Sequence, residues 1–123
     1  MSWLFVALGG CFGAICRYAC YKILGGYSQY LGTFFVNFTG SFLIGFLAYF
    51  LSKYVDESLK VFIIIGFLGA FTTFSSFSLE AFGMIEKGEY FKMITYVLSM
   101  NIGAILLAYL GVIVAKMVSK AFM

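Results

Sequence analysis

The sequence predicts an all-α membrane protein of four transmembrane helices, the third broken at mid-membrane, assembled as an antiparallel dual-topology dimer. Three observations lead there. Of the 123 residues 63% are hydrophobic and 11% charged, more apolar surface than a soluble domain of this size can cover. Apolar runs at about 3–24, 32–51, 61–85 and 90–115 are each long enough to cross a bilayer. The positive charges divide evenly between the two ends that these spans define. Spans this close together leave little chain outside the membrane, so residues 1–123 read as one four-helix domain with no soluble catalytic unit.

The first span is too long for a cleaved signal peptide, and three more follow it. Its Gly9 and Gly13 lie four apart on one face, the spacing that lets helices approach closely. Cys11, Cys16 and Cys20 all fall here, and the chain has no His, so they read as small hydrophobes rather than metal ligands. Arg17 is costlier, because a charge at a helix centre costs about 2.5–3.5 kcal/mol on insertion scales. It either snorkels to the interface beside Lys22 or lines an anion entrance.

Gly25-Gly26-Tyr27-Ser28-Gln29-Tyr30 reads as a short turn into the second span. That span opens Gly32-Thr33-Phe34-Phe35-Val36-Asn37 and places an amide in an otherwise apolar helix. Asn37 either ties two helices together or aims an N–H donor at a passing anion. Ser41 and Gly45 continue a small, packable face. Lys53 to Lys60 form a polar loop of mixed sign.

The third span departs from ordinary transmembrane composition. Gly66-Phe67-Leu68-Gly69-Ala70-Phe71-Thr72-Thr73-Phe74-Ser75-Ser76-Phe77-Ser78 interleaves glycines and hydroxyls with phenylalanines. Gly disfavours helix by about 1 kcal/mol relative to Ala, and Ser and Thr hydroxyls compete for backbone bonds. The helix is therefore expected to break between about Gly69 and Ser76. Broken backbone at that depth is tolerated only when buried in protein or facing a wet cavity. Phe74 and Phe77 share a helical face, and Glu80 continues their register toward a vestibule or the interface. Glu86 to Glu89 make the next loop.

The last span carries Tyr96, Ser99 and Asn101 as polar residues, and Gly103, Ala104 and Ala108 as small ones. Lys53, Lys60, Lys116 and Lys120 lie toward one membrane side, and Arg17, Lys22, Lys87 and Lys92 toward the other. The positive-inside rule needs an imbalance to fix orientation, so this chain is expected to insert both ways and pair with an inverted copy.

The polar residues exclude several functions. No His, no Ser beside a base and no paired carboxylates at membrane depth argue against an enzyme, and no nucleotide-binding pattern is present. The net charge of +3 forms no basic stripe, which argues against nucleic-acid binding. What remains is a set of amide and hydroxyl donors beside Phe rings, whose edges are positive. Such groups can replace water around a small anion without holding it too tightly, as conduction requires.

The Gly66 to Ser78 stretch closely resembles the signature of the Fluc (CrcB) fluoride channels. Gly9-Gly10 through Arg17-Tyr18, and Gly32 through Asn37, resemble that family in the same order. The resemblance implies an antiparallel homodimer with two fluoride pathways, in the bacterial plasma (inner) membrane as a multi-pass protein. It implies that Phe74 and Phe77 are pathway rings, Asn37 the donor beside them, and Ser75, Ser76 and Tyr96 further polar contacts. Arg17 would lie toward a vestibule and Glu80 near an opening. Backbone carbonyls of Gly69 and Thr72 would hold a structural sodium ion at the dimer centre. The same carbonyls could instead be satisfied by Thr72 and Thr73 hydroxyls or by water. One departure stands out: Met100 and Ala104 follow Tyr96 where the family often has hydroxyls, and Asn101 is expected on a different face.

The runner-up is a small multidrug-type cation/proton antiporter, which needs a buried acid in the first span, where this chain has Arg17. A non-conducting scaffold leaves the clustered hydroxyls and phenylalanines unexplained. The charge balance makes one prediction. Reporter fusions at the C-terminus should report from both sides of the membrane, and added lysines at one end should force a single orientation. A wild-type chain found in one orientation only would refute dual topology.

Overall fold

The computed structural model describes residues 2–28 and 30–122, and every regular element among them is helical. The elements are α1 (Ser2–Leu24), α2 (Leu31–Tyr54), α3 (Glu57–Lys60), a π-helical stretch (Val61–Leu68), α4 (Gly69–Phe71), α5 (Phe74–Glu86) and α6 (Tyr90–Ala121). From α3 to α5 the chain forms one column, Glu57–Glu86, so four columns are long and apolar enough to span a membrane. The turn into α2 holds Gly25 to Tyr27, with Tyr27 N–H donating to the Leu24 carbonyl at 3.0 Å. Gln29, expected in the same turn, lies outside the described residues.

The columns run beyond the apolar segments, and the polar loop expected at Lys53 to Lys60 shrinks to Val55 and Asp56. Lys and Glu are good helix formers, so a helix does not stop where hydrophobicity does. Asp56 takes an extended conformation, α3 starts at Glu57, and Lys60 pairs with Glu57 at 3.0 Å. At the far end of α5, Gly88 adopts φ 75°. Its N–H bonds the Ile85 carbonyl at 3.0 Å, and the Glu89 N–H bonds Met84 at 2.8 Å. That pair is a Schellman closure, and it needs the left-handed conformation that Gly adopts without strain.

Two glycine seams hold the columns together. α2 packs along α6 more extensively than any other pair of elements. A Cβ on Gly45 would run into the Ala108 carbonyl, and one on Gly111 into the Phe42 carbonyl. α1 packs on the π-helical stretch in the same manner: a Cβ on Gly9 would strike the Phe62 carbonyl, and one on Gly13 the Phe67 carbonyl. The two glycines repeat every four residues on an α-helix, and Phe62 and Phe67 repeat every five on a π-helix. The wider turns keep successive carbonyls facing successive glycines.

The break expected at Gly69 to Ser76 is narrower in the backbone. Only Thr72 (φ −81°, ψ 157°) and Thr73 (φ −148°, ψ 120°) are extended, while Gly69, Ser75 and Ser76 lie in helices. The hydroxyls explain the difference. Thr73 caps α5 by accepting the Ser76 N–H at 3.1 Å, so helix restarts at Phe74 at once. Thr72 Oγ1 instead bonds back to the Leu68 carbonyl at 3.0 Å and closes α4.

The core lies where α5 meets α6. Phe77, Ala81 and Met84 pack with Tyr96 and Met100, flanked by Phe34 and Phe38 of α2. Large apolar side chains elsewhere point outward, among them Ile15, Ile105 and Phe91. An apolar outer surface is what lipid contact requires.

Candidate functional site

α2 brings Asn37 opposite the two extended residues of the third column. Asn37 Nδ2 donates to the Thr73 carbonyl at 2.9 Å, and the Thr73 N–H donates to Asn37 Oδ1 at 2.8 Å. The side-chain amide thus pairs with both backbone groups of one residue, as a neighbouring antiparallel strand would. The remaining N–H of Nδ2 is directed at Met100 Sδ, 3.6 Å away, a weak acceptor.

Around this pair lies a cavity of about 320 Å³. Asn37, Gly69, Thr72, Thr73, Phe74 and Phe77 line one part, and Met100, Asn101 and Ala104 of α6 another. No charged side chain faces it among the described residues. The Phe74 and Phe77 ring centroids stand 5.4 Å apart with planes at 61°, so one edge meets the other face. They are not equivalent: Phe77 is 4% exposed and Phe74 72%. Phe77 also packs on the Tyr96 ring, 5.2 Å between centroids.

Ser75 and Ser76 are outside the cavity lining and gather around the cap instead. The Thr73 hydroxyl donates to Ser76 Oγ at 3.2 Å, which leaves Ser75 Oγ, also at 3.2 Å, as a donor to Thr73 Oγ1. Asn101, expected on a different face from Met100 and Ala104, shares their cavity. Neighbouring helical positions differ by about 100°, so a cavity wide enough spans both faces. Its own amide bonds back to the Val97 carbonyl at 2.8 Å.

Glu80 and Tyr96 belong to a second cluster that the sequence does not single out. The Thr33 hydroxyl donates to both Glu80 oxygens, at 2.6 and 2.7 Å, and the Tyr96 hydroxyl donates to Glu80 Oε2 at 3.0 Å. With its one proton directed at Glu80, Thr33 accepts from Tyr21, whose hydroxyl lies 2.6 Å away. Thr33 is fully buried, and it stands one turn before Asn37 on the same face of α2. That spacing was the available signal, since a hydroxyl one turn before an amide in an apolar helix marks a polar stripe. Arg17 is half-buried on α1 and joins neither cluster, with no carboxylate in ion-pair range among the described residues.

The backbone at the interruption bears on a metal. In an unbroken helix the Thr73 and Ser76 N–H groups would bond the Gly69 and Thr72 carbonyls. Here they are committed to Asn37 Oδ1 and Thr73 Oγ1. Both carbonyls thereby lose their helical donors, and bare carbonyl oxygens suit a hard cation such as sodium. Clusters of three or more acidic, His or Cys residues that could hold a metal are absent among the described residues.

The family described as CrcB-like protein, Camphor Resistance (CrcB), matches residues 4–112. A relative from Legionella pneumophila (strain Paris), named fluoride-specific ion channel FluC, is 43% identical, covering 94% of this chain and 90% of its own. Relatives of the same name from Magnetococcus marinus and Hydrogenobaculum sp. are 40% and 39% identical. They cover 96% and 90% of this chain, and 100% and 94% of their own lengths.

The Asn37–Thr73 pairing predicts a stability effect separable from any transport effect. Asn37→Leu leaves a buried N–H and C=O unpaired, at about 1–3 kcal/mol each. The variant should unfold at clearly lower detergent-denaturant concentration than wild type. Equal midpoints would show that the pair contributes nothing to the fold.

Proposed function

The chain belongs to the CrcB-like protein family, and on that premise we propose that it is a fluoride-specific ion channel through which fluoride leaves the cell passively. It is a multi-pass membrane protein, for which we assign the bacterial plasma membrane and a single four-helix domain. The antiporter reading lacks support: the relatives compared are named ion channels, and α1 offers Arg17 and no acid. The work is transport down a gradient, with no bond made or broken.

The observation that carries this reading is the convergence of Asn37, Phe74 and Phe77 on one cavity whose wall, among the described residues, has no carboxylate. A fixed negative charge there would repel an anion, and its absence leaves dipoles to stabilise one. The Asn37 N–H directed at Met100 sulfur is the natural first donor, since fluoride is a far stronger acceptor than a thioether. The Phe edges then offer weak positive contact, which lets the ion go on. We assign Ser75, Ser76 and Tyr96, which lie outside this cavity, as polar contacts farther along the route, Arg17 to a vestibule and Glu80 to an opening.

Phe74→Ile and Phe77→Ile keep bulk and remove the ring edge. Each should slow fluoride efflux from protein-containing liposomes about tenfold, the effect of losing roughly 1.4 kcal/mol of barrier stabilisation. Asn37→Asp should do at least as much. A fluoride electrode reads the rate, and wild-type rates in all three variants would sink this route.

The working unit in this proposal is an antiparallel homodimer with the interruption at mid-membrane. Phe74, so exposed in one copy, supports a second copy beside it, since its ring otherwise faces outward next to the cavity. Two interruptions meeting about a twofold axis would bring four carbonyls together, from Gly69 and Thr72 of each copy. A sodium ion there would satisfy oxygens that hydrocarbon cannot. Its part is to hold the two copies in register, with no coupling to fluoride flow. The dimer should therefore withstand heating better in sodium than in a bulky organic cation, as read by size-exclusion chromatography. Identical dimer fractions in the two salts would remove the support for sodium.

A further inference from the structure

The end of the bundle where α2 and α6 finish carries a group of residues that fluoride conduction leaves unused. Lys53, Lys116 and Lys120 border a cavity of about 320 Å³ with Tyr49 and Ser119. Lys53 lies in the last turn of α2 and Lys120 in the last turn of α6. Lys116 and Lys120 share one face of α6, being one turn apart. The ammonium groups of Lys53 and Lys116 stand 5.0 and 5.9 Å from the centroid of the same Tyr49 ring. Ser119, only 4% exposed, forms the floor, with its hydroxyl 2.9 Å from that of Tyr54. The ion pairs among the described residues, Lys60–Glu57 and Lys92–Glu89, involve none of these lysines.

Cations near helix C-termini complement the macrodipole, and lysines at a membrane edge snorkel. Neither effect draws ammonium groups from two different helices to one ring and one concave site. Three like charges around a cavity repel one another, and an anion between them relieves that repulsion. The volume lies within the range of small-ligand sites, about 300–1,000 Å³.

We propose that this cavity binds the phosphate group of an acidic phospholipid. Lysine is a point-charge partner for phosphate, and basic clusters at the ends of spans attract anionic lipid. Location favours lipid over dissolved phosphate, because the cavity lies at the charged ends of two helices long and apolar enough to span a membrane. Tyr109, 66% exposed, lies two turns before Lys116 on the same face of α6, toward the membrane interior. It offers the acyl chain an apolar surface directly below the headgroup.

Native mass spectrometry of the detergent-purified protein tests this with phosphatidylglycerol, phosphatidylcholine and inorganic phosphate as probes. Wild type should retain phosphatidylglycerol at least about tenfold better than phosphatidylcholine, and millimolar phosphate should not displace it. The combined variant K53Q/K116Q/K120Q should fall to the phosphatidylcholine level. K22Q/K60Q/K87Q, with the same change in net charge, should bind as wild type. Should the first combination fail to purify, Lys116→Gln alone should still lower retention several-fold. Equal retention of the two lipids, an equal loss in both triple variants, or wild-type binding in the cavity variants would overturn the proposal. Saturable phosphate binding that lipid cannot displace would also overturn it, making the site one for free phosphate.

Discussion

In hydrocarbon every peptide N–H and C=O needs a partner inside the protein, and at the interruption the Thr72 N–H keeps its helical bond to Leu68 while the Thr73 N–H has none. The reciprocal pairing of Asn37 with Thr73 meets much of that demand from another helix. It needs a side chain carrying both a donor and an acceptor on one plane, which an amide provides without having to take up a proton. It also needs α2 held at one depth against the third column, and the Gly45 and Gly111 seam with α6 restricts where α2 can lie. The interruption, the amide and the glycine seam therefore depend on one another.

Once the backbone is pinned at Thr73, the geometry beyond it follows. The Thr73 hydroxyl restarts the helix, so Phe74 begins a new helix whose axis the cap orients. Phe77, one turn on, is driven against Tyr96, and Phe74 is left at the cavity rim. Farther along α5, Glu80 is gripped by Thr33 and Tyr96. Thr33 and Asn37 stand one turn apart on α2, so a single helix face holds the third column at two points. Both anchors keep the rim of the cavity from collapsing.

The two N–H groups of Asn37 meet different partners. One N–H is spent on the fold, and the other points at a methionine sulfur inside the cavity. A thioether is a poor acceptor, so the second N–H remains available to a better one without cost to the first. That division lets an amide brace the backbone and still present a donor.

How much of this was legible in the sequence depends on the range of the interaction. Hydropathy determined the four columns, because spanning length is a local property of twenty or so residues. The glycine spacing marked the seams, and Gly66 to Ser78 marked where helix would fail, since both are short-range patterns. The exact extent of the interruption was not legible. Composition spread it from Gly69 to Ser76, whereas two hydroxyl bonds, Thr72 to Leu68 and Ser76 to Thr73, confined it to Thr72 and Thr73. Nor could sequence show that Asn37 meets Thr73 or that Thr33 meets Glu80, pairs separated by 36 and 47 positions. Those partners are chosen by how α2 packs between α6 and the third column. Residue chemistry in one chain announces that polar groups must be satisfied, and only tertiary packing decides by whom.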